Sequence, residues 1–205
     1  MRALVVVDIQ NDFLPGGALA VKEGDKIIPL VNKLQPKFDI VIATQDWHPA
    51  NHESFASNYS NGAIGDLVDL HGLPQVLWPD HCVQNTWGAE FAKALNISLI
   101  QQVFRKGTDS TVDSYSGFFD NGKKKDTGLS TYLQSRSVEQ LFIVGLATDY
   151  CVKFTALDAV NLGFETTVII DAIKAVNLHP EDQDNAIETM RLAGIQIKQS
   201  DELII

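Results

Sequence analysis

The chain has 205 residues, 45 % hydrophobic and 20 % charged, with sixteen Lys and Arg against twenty-six Asp and Glu for a formal net charge of −10. That length suits one generous domain, residues 1–205, able to bury about 70 % of the surface its unfolded chain exposes. The composition excludes general disorder, and the longest basic run, Lys123 to Lys125, is too short for a nucleic-acid platform.

In chain order, apolar and β-branched runs predict strands at 3–9, 40–44, 98–103, 141–144 and 165–170, with a weaker one at 195–197. Runs that are apolar throughout, rather than alternating, suit a parallel sheet covered on both faces. Helical spacing falls between them. Over 25–35, Ile28, Val31 and Leu34 share a face and Pro29 sits in the first turn. Trp87, Phe91, Ala94 and Leu95 repeat at helical spacing over 87–95, and 128–136 is a shorter candidate. Helices are also predicted over 149–162, stopped by Gly163, and over 181–193, stopped by Gly194. The alternation predicts an α/β fold: three α/β/α layers around a mainly parallel, roughly six-stranded, Rossmann-like sheet.

Two stretches, 45–86 and 105–127, show neither period and exceed ordinary connections in length. Both leave the carboxyl ends of strands, where open α/β sheets place ligands. The Gly16–Gly17 pair after the first strand reads as a turn and not as the G-x-G-x-x-G of a dinucleotide site, so no organic cofactor is expected. The opening run breaks at Asp8, too soon for a signal peptide, and no stretch approaches the ~18 apolar residues of a membrane helix. With only Cys82 and Cys151, the expectation is two thiols in a cytoplasmic chain with no membrane partner.

Polar residues interrupt the apolar runs at strand ends. Asp8 is either a loop cap or a partly buried carboxylate. Lys106 follows a strand at the same end of the sheet, so the two could form a structural ion pair or a proton-handling one. Cys151 lies in GLATDYCV, between a strand and a helix for which Thr148 or Asp149 is the natural N-cap. In a first helical turn the dipole would favour its thiolate. A lone cysteine is more often a small buried hydrophobe, but together Asp8, Lys106 and Cys151 supply base, cation and nucleophile. Cys82 has no such setting and reads as packing. A second group comprises Asp46, His48, His52, His71 and His81. The D-x-H of Asp46 and His48 puts carboxylate and imidazole on one side of an extended segment, and His81 could complete a set for Zn²⁺, Fe²⁺ or Mn²⁺. His71, in an LHGLP turn, reads as solvated, and His179, before Pro180, as leading into a helix.

DIQNDF at 8–13, QDWHP at 45–49, WPDHC at 78–82, FRKGTD at 104–109 and GLATDYCV at 145–152 resemble, in order, the nicotinamidases of the isochorismatase-like cysteine hydrolase family. The resemblance runs from Met1 to about residue 195. It implies that fold and the hydrolysis of nicotinamide to nicotinate and ammonia in NAD salvage, with pyrazinamide as a further substrate. It also implies Asp8, Lys106 and Cys151 as the catalytic set, and the backbone N–H groups of Ala147 and Cys151 as the oxyanion hole. Asp46, His48 and His81 become ligands of one divalent metal, Zn ahead of Fe or Mn, and His52 lies beside them. Phe13, Trp78 and Tyr115 line the ring pocket, and the Leu146–Ala147 peptide is cis. A small-molecule partner is expected, and a homo-oligomer is left open. A related cysteine hydrolase acting on another small amide is the nearest alternative; a nonenzymatic α/β protein is more remote.

Overall fold

The described residues form eight strands and four α-helices in the order β1 (Arg2–Val7), α1 (Ile28–Leu34), β2 (Ile40–Asp46), β3 (Leu67–Leu70), β4 (Leu73–Val76), β5 (Gln102–Lys106), α2 (Leu129–Ser135), β6 (Gln140–Leu146), α3 (Lys153–Asn161), β7 (Glu165–Lys174), α4 (Asp182–Leu192) and β8 (Gln196–Lys198). The structure is a computed structural model describing residues 1–203, so the last two residues of the expected 1–205 domain lie outside it. Six strands form one parallel sheet in the order β5-β2-β1-β6-β7-β8.

The apolar runs are continuous because each face of the sheet has its own core. Along β1, Ala3, Val5 and Val7 pack into the cluster containing Leu129, Leu133, Ala156 and Met190 of α2, α3 and α4. The intervening Leu4 and Val6 pack with Ile28, Val31 and Leu34 of α1 on the other face. The chain runs outward from β1 to β2 and β5, then returns to β6 beside β1. The resulting switch point lies at the carboxyl ends of the central strands.

Three expectations need correction. The fifth strand is not 98–103 but Gln102–Lys106, and Ile97–Leu99 is a tight turn whose Ser98 N–H donates to Asn96 Oδ1 at 3.1 Å. This edge strand buries Phe104 and Lys106 and exposes Gln102 and Arg105, so its signature is alternation, not an apolar run. The 87–95 segment is not a helix. Trp87–Ala89 forms a short turn, with Trp87 61 % exposed, a second turn closes from Leu95 N–H to Ala92 O at 2.9 Å, and between them the segment bonds to residues after β1. Asn11 N–H donates to Glu90 O at 3.0 Å and Ala92 N–H to Ile9 O at 3.0 Å. Finally, 45–86 contains an antiparallel hairpin, β3 with β4. Its two-residue turn, His71–Gly72, has positive φ at both positions, the geometry that matches strand twist.

Candidate active site

Four adjacent strands, β5, β2, β1 and β6, deliver the site at their carboxyl ends. Asp46 and Lys106 close β2 and β5 as direct ladder partners, Asp8 follows β1 with φ 46°, and a cis Leu146–Ala147 peptide follows β6. Lys106 is 2 % exposed, and its ammonium sits among four groups. Nζ is 2.9 Å from Asp8 Oδ2 and 2.7 Å from Asp46 Oδ1, donates to Ser114 O at 2.9 Å, and lies 3.4 Å from Cys151 Sγ. Asp8 Oδ1 accepts from Thr44 Oγ1 at 2.6 Å, while Oδ2 accepts no aligned hydrogen bond among the described residues.

The charges of this cluster follow from burial set against neighbours. Burial works against the Lys106 ammonium, yet Asp46 and Asp8 outweigh it and hold the pKa well above the usual lysine range. Burial raises Asp8 and prevails over the opposing pull of Lys106. Burial pushes Asp46 the same way, but Lys106 and then His48 overcome it and keep its carboxyl well below the ordinary value. Cys151 is raised well above an ordinary thiol by burial, opposed by Lys106 and reinforced by Asp8 and Asp46. Burial thus opposes the thiolate that a helix N-terminus would favour, and Lys106 is the neighbour that favours it. Cys151 lies in a wide π-type turn, Thr148–Val152, ahead of α3.

Neither Thr148 nor Asp149 is a cap, contrary to expectation: Ala147 occupies the cap position of the π-type turn and Val152 that of α3, each without a side-chain bond. Asp149 instead accepts from Val176 N–H at 3.0 Å and Asn177 N–H at 2.8 Å, drawing the segment after β7 against the turn that carries Cys151.

Asp46 turns its second oxygen to the histidines. Oδ2 is 3.4 Å from His48 Nε2 and 3.7 Å from His81 Nε2. Each ring's Nδ1 faces a backbone carbonyl, Gly107 O at 2.9 Å for His48 and Pro79 O at 2.8 Å for His81. A carbonyl only accepts, which places a proton on each Nδ1 and leaves each Nε2 facing the Asp46 carboxylate. His48 Nε2 is buried with no hydrogen-bond partner among the described residues. One carboxylate oxygen and two converging imidazole nitrogens, all within 4.8 Å of one another, fit a divalent metal ion. His52 is buried beside them, its ring centroid 4.4 Å from that of His48 and its Nδ1 2.7 Å from Ser54 Oγ. Burial lowers its pKa to about 4, which makes it a neutral imidazole. It belongs to a second, overlapping group with His48 and Asp113. His71 pairs on the surface with Glu53, and His179 lies exposed beside Asp182 at the start of α4. Cys82 is buried packing: its N–H donates to Asp12 Oδ2 at 2.7 Å, and burial pushes its thiol well up.

A narrow pocket joins the two clusters, with Asp46, His81 and Cys151 in its lining alongside Phe13, Trp78, Tyr115 and Ala147. The walls are aromatic: Phe13 meets His81 edge-on at 5.5 Å, and Trp78 meets Tyr150 edge-on at 4.8 Å. Sequence reasoning missed Leu19, Asp113, Tyr150 and Val176 in this lining. Tyr150 stands in GLATDYCV, beside Cys151, and was the one within reach. Gln10 was missed as well. Its Nε2 donates to Asp46 O and its Oε1 accepts from Asp46 N–H, both at 2.8 Å, which extends the ladder past β1 and fixes Asp46.

Residues 2–202 match the family model described as Isochorismatase domain. A nicotinamidase of Escherichia coli (strain K12) is 50 % identical over 202 residues, spanning 94 % of this chain and 92 % of that protein. Among solved structures, a nicotinamidase pyrazinamidase of Acinetobacter baumanii superposes with a TM-score of 0.96 at 47 % identity, over 99 % of this chain and 98 % of the other. A pyrazinamidase of Pyrococcus horikoshii in complex with zinc gives 0.79 at 42 % identity, over 97 % and 98 %.

Proposed function

The chain belongs to the isochorismatase family, and on that footing we propose that it hydrolyses nicotinamide to nicotinate and ammonia through a thioester on Cys151. The observation that carries this reading is the Lys106 ammonium set among Asp8, Asp46 and Cys151, with the thiol opening into an aromatic pocket. A nonenzymatic α/β protein has no use for a buried cation and thiol at a pocket wall.

The chemistry starts from a neutral thiol. Asp8, whose Oδ2 is free of aligned donors, takes the Cys151 proton as sulfur bonds to the carboxamide carbon. A thiolate next to a carboxylate is a repulsive pair, and the charged Lys106 between them offsets that repulsion. The backbone N–H groups of Ala147 and Cys151 serve the developing oxyanion. Protonated Asp8 then gives its proton to the amide nitrogen, the C–N bond breaks, and ammonia leaves. Water loses a proton to Asp8 and attacks the thioester. The C–S bond breaks, Asp8 returns the proton to sulfur, and the nicotinic acid so formed gives its carboxyl proton to solvent or to the released ammonia and leaves as nicotinate.

Asp46, His48 and His81 hold the divalent ion, which we assign as zinc ahead of iron or manganese, with His52 beside them and off the metal. When bound, it supplies Lewis-acid coordination for a ring nitrogen. Phe13, Trp78, Tyr115 and Tyr150 enclose the ring, and pyrazinamide, with the same ring-nitrogen and carboxamide chemistry, is a second substrate. No helix among the described residues is long and apolar enough to cross a membrane, and we read the chain as a cytoplasmic enzyme of NAD salvage.

Ammonia release from nicotinamide, pyrazinamide and an acyclic amide, each with and without a chelator, tests the reading. Both ring amides should turn over, chelation should suppress them, and the acyclic amide should lag by about 100-fold in kcat/KM. An acyclic amide that outruns nicotinamide, or indifference to chelation, contradicts it.

A further inference from the structure

We propose that Gln75 is a positioning residue for the aromatic amide: carried by the β3–β4 hairpin, its side-chain amide fixes Tyr115 and Asp113 in the pocket wall and so sets KM. The proposal rests on reading that pocket as the ring site. A two-stranded ribbon alone is marginal in water, and this one is largely exposed, with Leu67 70 % accessible. The residue it buries most deeply on β4 is polar: Gln75, 2 % exposed.

Gln75 Nε2 lies 2.7 Å from Val76 O, 3.1 Å from Asp113 Oδ2 and 3.0 Å from the Tyr115 hydroxyl. The carbonyl and the carboxylate only accept, which identifies this atom as the nitrogen and not the amide oxygen. Its two hydrogens are shared among three acceptors, and the Tyr115 oxygen receives a second donor from Trp78 Nε1 at 3.2 Å. Both pocket aromatics called from sequence on this side, Trp78 and Tyr115, thus meet at one phenol oxygen that Gln75 holds. Burial keeps that phenol protonated.

The segment 113–115 is pinned at separate points. Gln75 holds Asp113 and Tyr115, whereas the intervening Ser114 carbonyl accepts from Lys106 Nζ at 2.9 Å. Removing the amide leaves the Tyr115 hydroxyl with Trp78 Nε1 as its one remaining donor among the described residues and takes a donor from Asp113 Oδ2, while the Lys106–Ser114 contact stays in place. The effect therefore falls on binding of the ring and not on the thiol chemistry.

In the full-length, metal-loaded protein, Gln75→Met should raise KM for nicotinamide about five- to tenfold, with kcat within about twofold of wild type. The rate at which iodoacetamide alkylates Cys151 should not change, a split that a generally loosened fold would not produce. Tyr115→Phe, which keeps the ring and removes the shared oxygen, should raise KM comparably, and adding Gln75→Met to it should cost less than about twofold more. An unchanged KM, a fall in kcat at constant KM, or effects that multiply in the double variant would each overturn the proposal. If Gln75→Met does not fold, Tyr115→Phe decides alone, and an unchanged KM there overturns it. A wild-type chain releasing no ammonia from nicotinamide sinks the functional reading and this proposal with it, whereas normal wild-type turnover with an unaltered variant sinks this proposal only.

Discussion

Asp46 is where the halves of the site meet. One carboxylate oxygen holds Lys106, the other faces two imidazole nitrogens, and Gln10 grips its backbone from both sides. Its acidity follows from that company, since a buried carboxyl with no cation beside it would be neutral. His52 shows the opposite case, an imidazole that burial keeps uncharged down to a pKa of about 4. An unfolded chain takes up that proton near the ordinary histidine value of 6.5, so the unfolded state binds more protons between the two values. Stability should therefore be complete above pH 6.5 and fall on acidification toward pH 4, by up to about 3 kcal/mol from this residue. Urea unfolding of chelator-treated protein across that range should show a shallower pH slope for His52→Gln than for wild type. Equal slopes would mean that His52 titrates alike in both states.

At the scale of elements, the close approach of β6 to β1 admits no side chain at Gly145. That residue has φ 116°, and a Cβ there would lie 2.1 Å from Val7 O, one residue before Asp8. Gly145→Ala should cost about 3 kcal/mol or more, read as a lowered Tm, and should displace the strand end that carries Asp8. An unchanged Tm would contradict so close an approach. Four of the strands read from sequence, β1, β2, β6 and β7, have both faces covered, and burial on both sides leaves an unbroken apolar run; the half-buried edge strand β8 left only the weaker signal at 195–197. β5 was misplaced since its buried residues alternate and one of them is a lysine. The hairpin stayed hidden because Asp69, Pro74 and Gln75 erase its pattern, although the His71–Gly72 turn was in plain view. Helical spacing over 87–95 misled because that segment closes only isolated turns on itself, Glu90 N–H to Trp87 O and Leu95 N–H to Ala92 O, and is tied between them to Ile9 and Asn11. The site divides the same way. Asp8, Asp46, His48, His81, Lys106 and Cys151 stand inside recognisable motifs, whereas Gln10, Gln75 and Asp113 work through partners some forty residues away, which no local pattern records.

For the whole molecule, the parallel sheet explains how residues spread from Asp8 to Cys151 meet at one point: four neighbouring strands end there, and the long irregular segments close over them. The net charge of −10 excludes a basic groove and says nothing about a substrate that is itself neutral. What makes the assembly an enzyme is the thiol at the junction of cation, carboxylate and pocket. The most direct measurement is ammonia release from nicotinamide by Cys151→Ala beside wild type, with matched unfolding curves and equal metal content. The account predicts a loss of about 10⁴-fold or more in kcat. Undiminished turnover by that variant would contradict it outright.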